Sequence, residues 1–290
     1  MDARVLVLLS AICFATTGTA QALGPDASPA AVGAARIAVG GALLALVAWR
    51  MAPARPNGRW PLRPSLAGAA GVAGYQLTFF AAVAETGVAV GTVVALGSGP
   101  VFAGLLGRAV HGEPLTRRWT VATGLAVAGV AVLVAAGAAA QVEPLGIALA
   151  LGAGLSYATY TVAAKGLLAT HTPEAVMARL FGLGAIALLP VLPLAGAGWL
   201  ASADGIALAV YLGAVPTALA YVLFARGLRH LPSGEVATLT LAEPLTAAAL
   251  GAVVLGERPG AGALVGVALV LAGLAVLALT SRPRPEVQPA

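Results

Sequence analysis

Residues 99–113 read GPVFAGLLGRAVHGE, and residues 243–257 read EPLTAAALGAVVLGE. At an offset of 144 residues Pro100 matches Pro244, Gly107 matches Gly251, and Gly112-Glu113 matches Gly256-Glu257. Downstream, Leu125, Gly129 and Val132-Leu133 match Leu269, Gly273 and Val276-Leu277; upstream, Phe80-Ala81 matches Phe224-Ala225. With a one-residue shift Ala15-Thr16 matches Ala158-Thr159, and Arg36 matches Arg179. Chance identities are common in a chain this rich in Ala, Gly and Leu, so the matched prolines, glutamates and arginines carry the argument. Self-similarity at a fixed spacing marks an internal repeat. The chain therefore divides into two copies, 1–140 and 141–281, followed by a tail, 282–290, whose three prolines suit a disordered segment.

The surrounding solvent follows from composition. Of 290 residues, 60% are apolar and only 9% charged, and the mean hydropathy is +0.95. Soluble domains carry about a quarter charged residues, so this chain cannot cover a globular surface and must sit in lipid. Gly and other small residues let membrane helices approach closely. The net charge of +5 raises nucleic acid as a partner, but the arginines fall in short connections between apolar runs, where they orient membrane helices instead. Cys13 is the single cysteine, which excludes an intrachain disulfide and a cysteine-based metal site. The opening stretch, Arg4 followed by Val5 to Cys13 and Thr19-Ala20-Gln21-Ala22, mimics a signal peptide. It is read as a retained helix, because the apolar run continues towards Leu23 without charge.

A membrane helix needs about 20 mostly apolar residues. Cutting at charges and at Pro/Gly clusters gives ten segments: Val5–Leu23, Ala30–Met51, Leu66–Ala84, Val88–Val110, Val121–Ala139, Leu145–Leu168, Ala175–Ala195, Ile206–Leu228, Gly234–Leu255 and Ala263–Leu279. The second connection carries Arg50, Arg55, Arg59 and Arg63 and the fourth Arg108, Arg117 and Arg118, while Lys165 and Arg179 flank the sixth and Arg226 and Arg229 the eighth. Arg282 and Arg284 follow the last segment, while odd-numbered connections hold Asp26, Glu85, Glu143 and Asp204, then Glu257 beside Arg258. Positive charge stays inside, so both termini are expected in the cytoplasm. Five segments per copy is an odd number, so the second copy enters the membrane from the opposite side, as in transporters built from inverted repeats.

The Gly112-Glu113 and Gly256-Glu257 corners, each followed by a glycine-studded segment through Ala128-Gly129-Val130 or Ala272-Gly273-Leu274, together with Arg36 and Glu243-Pro244, resemble the drug/metabolite transporter superfamily, EamA type. The resemblance covers nearly the whole chain. It implies an all-α membrane protein of ten helices in two inverted five-helix repeats. It also implies a central cavity lined by the first, third, fourth, sixth, eighth and ninth segments, with the fifth and tenth peripheral. Members mostly export amino acids or other metabolites, and others import.

Polar residues inside a membrane are costly and tend to mark pathways. Glu243 lies about ten residues into its segment, near mid-bilayer at 1.5 Å per residue, and its counterpart is Gly99. Thr240 and Thr246 share its face at three-residue spacing, and Pro244 frees a carbonyl beside it. Glu243 is read as a substrate or proton site, against a hydrogen-bonded packing residue. Candidate substrate contacts at helical spacing are Thr17 and Gln21, Tyr75 with Phe79 and Gln76 with Phe80, Ser98 with Thr92, Tyr157, Tyr160, Tyr221 and Thr240. Each stands against the alternative of a hydroxyl bonded to its own helix backbone. Arg36 is a gate charge, a contact to a substrate carboxylate or half of a structural pair. Arg179, Glu113 and Glu257 are read mainly as structural or capping charges, and Pro100 and Pro244 as helix kinks.

The sequence holds no phosphate-binding Gly-x-x-x-x-Gly-Lys-Ser/Thr loop and no His-Glu-x-x-His zinc motif; no cofactor, metal or enzymatic activity is expected. The reading is a secondary transporter in a bacterial inner membrane, moving a small amino-acid-like molecule outward and coupled to protons or to exchange. The alternatives are uptake of another metabolite or a drug-like cation, and a structural or enzymatic membrane protein. With Cys13 replaced, a cysteine at position 59 should resist an impermeant maleimide in intact cells and react in inside-out vesicles, whereas one at position 204 should react in intact cells.

Overall fold

The computed structural model describes residues 1–51, 58–135, 143–256 and 260–278, and every regular element among them is helical. Helix α1 spans Ala3–Leu23, α2 Pro29–Arg50, α3 Leu62–Gly87, α4 Val90–His111 and α5 Arg117–Ala135. The second half follows with α6 Pro144–Leu167, α7 Pro173–Leu188, α8 Ala203–Leu228, α9 Ser233–Val254 and α10 Ala261–Ala278. Seven of these, α1, α2, α3, α4, α6, α8 and α9, are long and apolar enough to cross a membrane. The chain is thus a multi-pass membrane protein of helical class. Glu257, Arg55, the end of the fifth expected segment and the tail lie outside the described residues.

Local chemistry sets the boundaries. Asp2, Ser28, Thr172 and Ser202 accept hydrogen bonds from backbone N–H groups of the first turns of α1, α2, α7 and α8, satisfying donors that the helix leaves open. Gly112 ends α4 at φ 68° and Gly256 follows α9 at φ 72°. A left-handed residue there favours glycine, which accounts for the matched Gly-Glu corners. α3 and α4 run as one helix broken only at Gly87, φ 77°, where the sequence pattern had suggested a connection from residue 85 to 87. The seventh segment is shorter than its apolar run, because Pro190 ends the helix and a separate turn, Val191–Ala195, follows.

Prolines act differently in the two copies. Pro100 sits inside a continuous α4. In α8, Pro216 leaves the Leu212 carbonyl without its helical donor; residues Ala214–Leu219 widen into a π-helical turn and the Thr217 hydroxyl donates to Leu212 instead, at 2.8 Å. In α9, Pro244 does the same to the Thr240 carbonyl. The ladder breaks after Leu239 and resumes at Ala242, with Glu243 N–H donating to Thr240 O at 2.9 Å. Both repairs follow from the need to pair backbone groups internally in lipid.

The packing maps onto itself when the halves are exchanged. α6 lies against α3 and α4, as α1 lies against α8 and α9, while α2 pairs with α7 and α5 with α10. At the last contact a Cβ on Gly129 would lie 2.6 Å from Val270 N and 2.8 Å from Gly266 O. One on Gly273 would lie 2.7 Å from Ala122 O and 2.9 Å from Ala126 N. These partners are again 144 residues apart, so the contact is reciprocal, as a two-fold axis requires. Each glycine faces residues that precede the other in its own helix, so α5 and α10 run antiparallel. Arg118 at the start of α5 accordingly donates to Val276 O near the end of α10, at 2.7 Å. Gly40 against Gly213 of α8, and Gly184 against Ala69 of α3, repeat the reciprocity.

Gly129→Leu or Gly273→Leu should each lower stability in detergent by about 1–3 kcal/mol, the usual cost of overpacking. Gly124→Leu, where a side chain meets nothing within 4 Å, should unfold at the parental temperature.

Candidate functional site

The break in α9 divides that helix into two unlike halves. From Ser233 to Ala242 every residue but Glu235 is buried; from Glu243 to Leu255 only Gly251 is. Glu243 thus stands where a packed end gives way to open surface, in the first turn of the resumed helix. Its carboxylate lies within electrostatic reach of the Arg36 guanidinium on α2. Tyr75 on α3 and Tyr221 on α8 lie within reach of both charges, and Tyr157 on α6 within reach of Glu243.

Arg36 and Glu243 lie within electrostatic reach of each other without being a pair. Among the described residues neither side chain forms a salt bridge or hydrogen bond, and Arg36 Nε is buried with no partner. Thr17 Oγ1 on α1 is likewise buried without a partner. Unpaired charge in an apolar surround is expensive, so this arrangement suits a ligand or water held between two opposite charges.

Aromatic rings form the wall. Every Phe and Tyr of the chain except Phe102 and Tyr211 joins one web of ring contacts. Tyr221 is its hub, 4.8 Å from Phe14, 4.1 Å from Phe181 and 6.0 Å from Tyr160 and Phe224. Tyr75 stacks on Phe79 at 5.5 Å and tilts towards Tyr157 at 6.5 Å. Tyr157 OH meets Thr240 Oγ1 at 3.0 Å, which ties α6 to the α9 break. Phe14, Phe181 and Phe224 are members that spacing alone did not single out, since isolated apolar aromatics carry no polar signal.

The other candidates fall elsewhere. Gln76 donates to Gly33 O at 3.2 Å and, with Phe80, lines a separate cavity of about 290 Å³ between α2, α3 and the end of α7. Ser98 bonds to Ala95 O at 3.3 Å and faces Gly154 of α6. Gln21 lies in the last turn of α1, where its backbone carbonyl accepts from Gly24. Arg179 donates to Ser65 Oγ at 2.9 Å and covers the Trp60 ring at 4.9 Å. Glu113 accepts from Ser233 N at 2.7 Å and Ser233 Oγ at 3.2 Å. No group of His, Cys, Asp and Glu suited to a metal occurs among the described residues.

A profile of the EamA-like transporter family matches residues 3–135 and again 144–279. The chain belongs to that family. It is 39% identical over 288 residues to an uncharacterized transporter, YwfM, of Bacillus subtilis, covering 99% of this chain and 97% of the relative. It is 30% identical over 275 residues to a probable terminal-alkyne amino-acid exporter of Streptantibioticus cattleyicolor, covering 93% and 91%. The threonine/homoserine exporter RhtA of Salmonella typhimurium is 30% identical over 292 residues, covering 98% and 94%. A solved crystal structure superposes with a TM-score of 0.83 at 21% identity over 96% of each chain, a likeness of fold alone. This EamA-type transporter of the drug/metabolite superfamily is therefore a membrane carrier and not an enzyme.

Proposed function

We propose that the transporter exports a small amino-acid-like zwitterion across the bacterial inner membrane by alternating access. The observation that carries this reading is the unpaired couple of Arg36 and Glu243. A zwitterion brings a carboxylate for the first and an ammonium for the second, and it offsets the cost of both charges at once. The aromatic web supplies a rigid apolar wall for the remainder of the molecule, with Tyr75, Tyr157, Tyr160 and Tyr221 turning polar tips among it. Two similar proteins named as amino-acid exporters support the substrate class.

The architecture in this reading is ten crossings in two inverted five-helix repeats, 1–140 and 141–281, with both termini cytoplasmic. Support comes from the family match in each half and from the reciprocal, antiparallel contact of α5 with α10. The unlike burial of α9 fits one repeat held in the packed form at the end where Ser233 lies. Coupling to protons or to exchange, with Glu243 as the carrier, completes the proposal.

Export into vesicles or medium is the test. Glu243→Gln keeps the shape and removes the charge; Arg36→Gln does the same for the other partner. Each should reduce transport of an amino-acid substrate at least about tenfold, the factor carried by 1.4 kcal/mol, with unchanged membrane expression. Parental transport by both variants in reconstituted vesicles would sink the zwitterion reading.

A further inference from the structure

The α9 start is fastened to the first half by a set of polar contacts. Ser233 is fully buried, and its N–H is one of the open donors of a helix first turn. Glu113, beyond the end of α4, supplies both carboxylate oxygens to Ser233, one to N–H at 2.7 Å and one to the hydroxyl at 3.2 Å. A negative charge at this helix end is also favoured by the helix dipole. Gly107 lies so close to the Glu113 carboxylate that a Cβ there would collide with it. Two residues further along α9, Glu235 accepts from Arg4 Nε of α1 at 2.7 Å. Trp119 of α5 is wedged against Gly104 of α4 and Gly234 of α9, with no space for a Cβ on either glycine. A cavity of about 50 Å³ beside these groups is lined by Glu113, Thr116, Trp119 and Glu235.

The repeat makes the asymmetry explicit. At the 144-residue offset Ser233 maps to Ala89, Glu235 to Gly91 and Trp119 to Ala263, while Arg4 maps to Ile147 or Ala148. Only Glu113 keeps its chemistry, as Glu257. Ala89 keeps the backbone N–H but lacks the hydroxyl, and Gly91 lacks the carboxylate, so the Ser233 hydroxyl bond and the Arg4–Glu235 pair have no matching side chains in the other copy.

We propose that Glu113 with Ser233, and Arg4 with Glu235, form a one-sided latch that holds the transporter closed at the α9 start and sets its resting state. The proposal rests on the alternating-access reading above. Opening the site towards this end requires α9 to part from the α4–α5 corner and Ser233 to exchange Glu113 for water. The matching positions of the other copy, Ala89 and Gly91, offer neither the hydroxyl nor the ion pair, so the two access states are unequal and the empty transporter rests with the α9 start sealed.

The test is the accessibility of a cysteine placed behind the latch. Thr238 is fully buried between the latch and Glu243. In reconstituted full-length protein with Cys13→Ser and Thr238→Cys, an impermeant maleimide applied from the latch side should label slowly. Glu113→Ala should accelerate labelling by roughly tenfold or more, the range of a charge-assisted hydrogen bond. Ser233→Pro should act likewise, since it deletes both donors, the N–H and the hydroxyl, and leaves the Glu113 carboxylate in place. Proline is tolerated at the first helical position, and Pro232 already has the extended geometry (φ −58°, ψ 145°) that a following proline needs. If Glu113→Ala fails to fold, Ser233→Pro decides alone. Parental labelling rates in the folded variants would overturn the latch. A separate reporter, Thr240→Cys, reachable from neither side, would instead overturn the transport reading on which the latch rests.

Discussion

Helices dissolved in a solvent as apolar as themselves gain little from hiding apolar surface, so their association rests on how closely their backbones can approach. In this chain the approach is made at glycine. Gly129 and Gly273 press against the opposing backbone of α10 and α5, Gly40 and Gly41 against α8 and α7, and Gly71 against the Ser156–Tyr160 turn of α6. Large side chains are consequently displaced from many helix–helix seams, and the aromatic residues gather in one web. Tight seams and a wide aromatic wall are two results of the same rule.

The same solvent disciplines the backbone. Pro216 and Pro244 each delete a donor, and each vacancy is filled locally, by the Thr217 hydroxyl and by the Glu243 N–H. The second repair has the larger consequence. It breaks α9 at Thr240–Leu241, directs the Thr240 hydroxyl to Tyr157, and delivers Glu243 to the boundary between packed and open surface. A proline in the matching place of α4 leaves the helix continuous, and the residue before it is Gly99 where α9 has Glu243.

Much of this was legible in the sequence, because composition dictates lipid as solvent and matched prolines, glycines and glutamates reveal a repeat. Glu243 stood out by depth, and the tyrosines by spacing. What spacing could not supply was partnership between distant segments. Nothing in the order of residues links Arg36 to Glu243, Arg4 to Glu235 or Glu174 to Arg226, the last an ion pair at 2.6 Å. Each pair joins different helices, and only packing decides which charges meet. Glu113 illustrates the limit: a corner glutamate reads as a cap for its own helix end, whereas it reaches the first turn of a helix in the other half. The gathering of Phe14, Phe181 and Phe224 around Tyr221 was equally silent, since buried phenylalanines look alike whether they fill a core or line a site.

The position of Trp119 has a spectroscopic consequence. The chain has four tryptophans. Trp49 is 72% exposed, Trp60 stacks on His171, and Trp199 lies in a turn between α7 and α8. Trp119 is clamped between α4 and α9, with its indole N–H buried and unbonded among the described residues. Any parting of α4 from α9 carries that indole from an apolar slot into a wetter one, where its emission shifts to the red. The protein thus contains a native optical gauge of its own conformational cycle, readable without any attached dye.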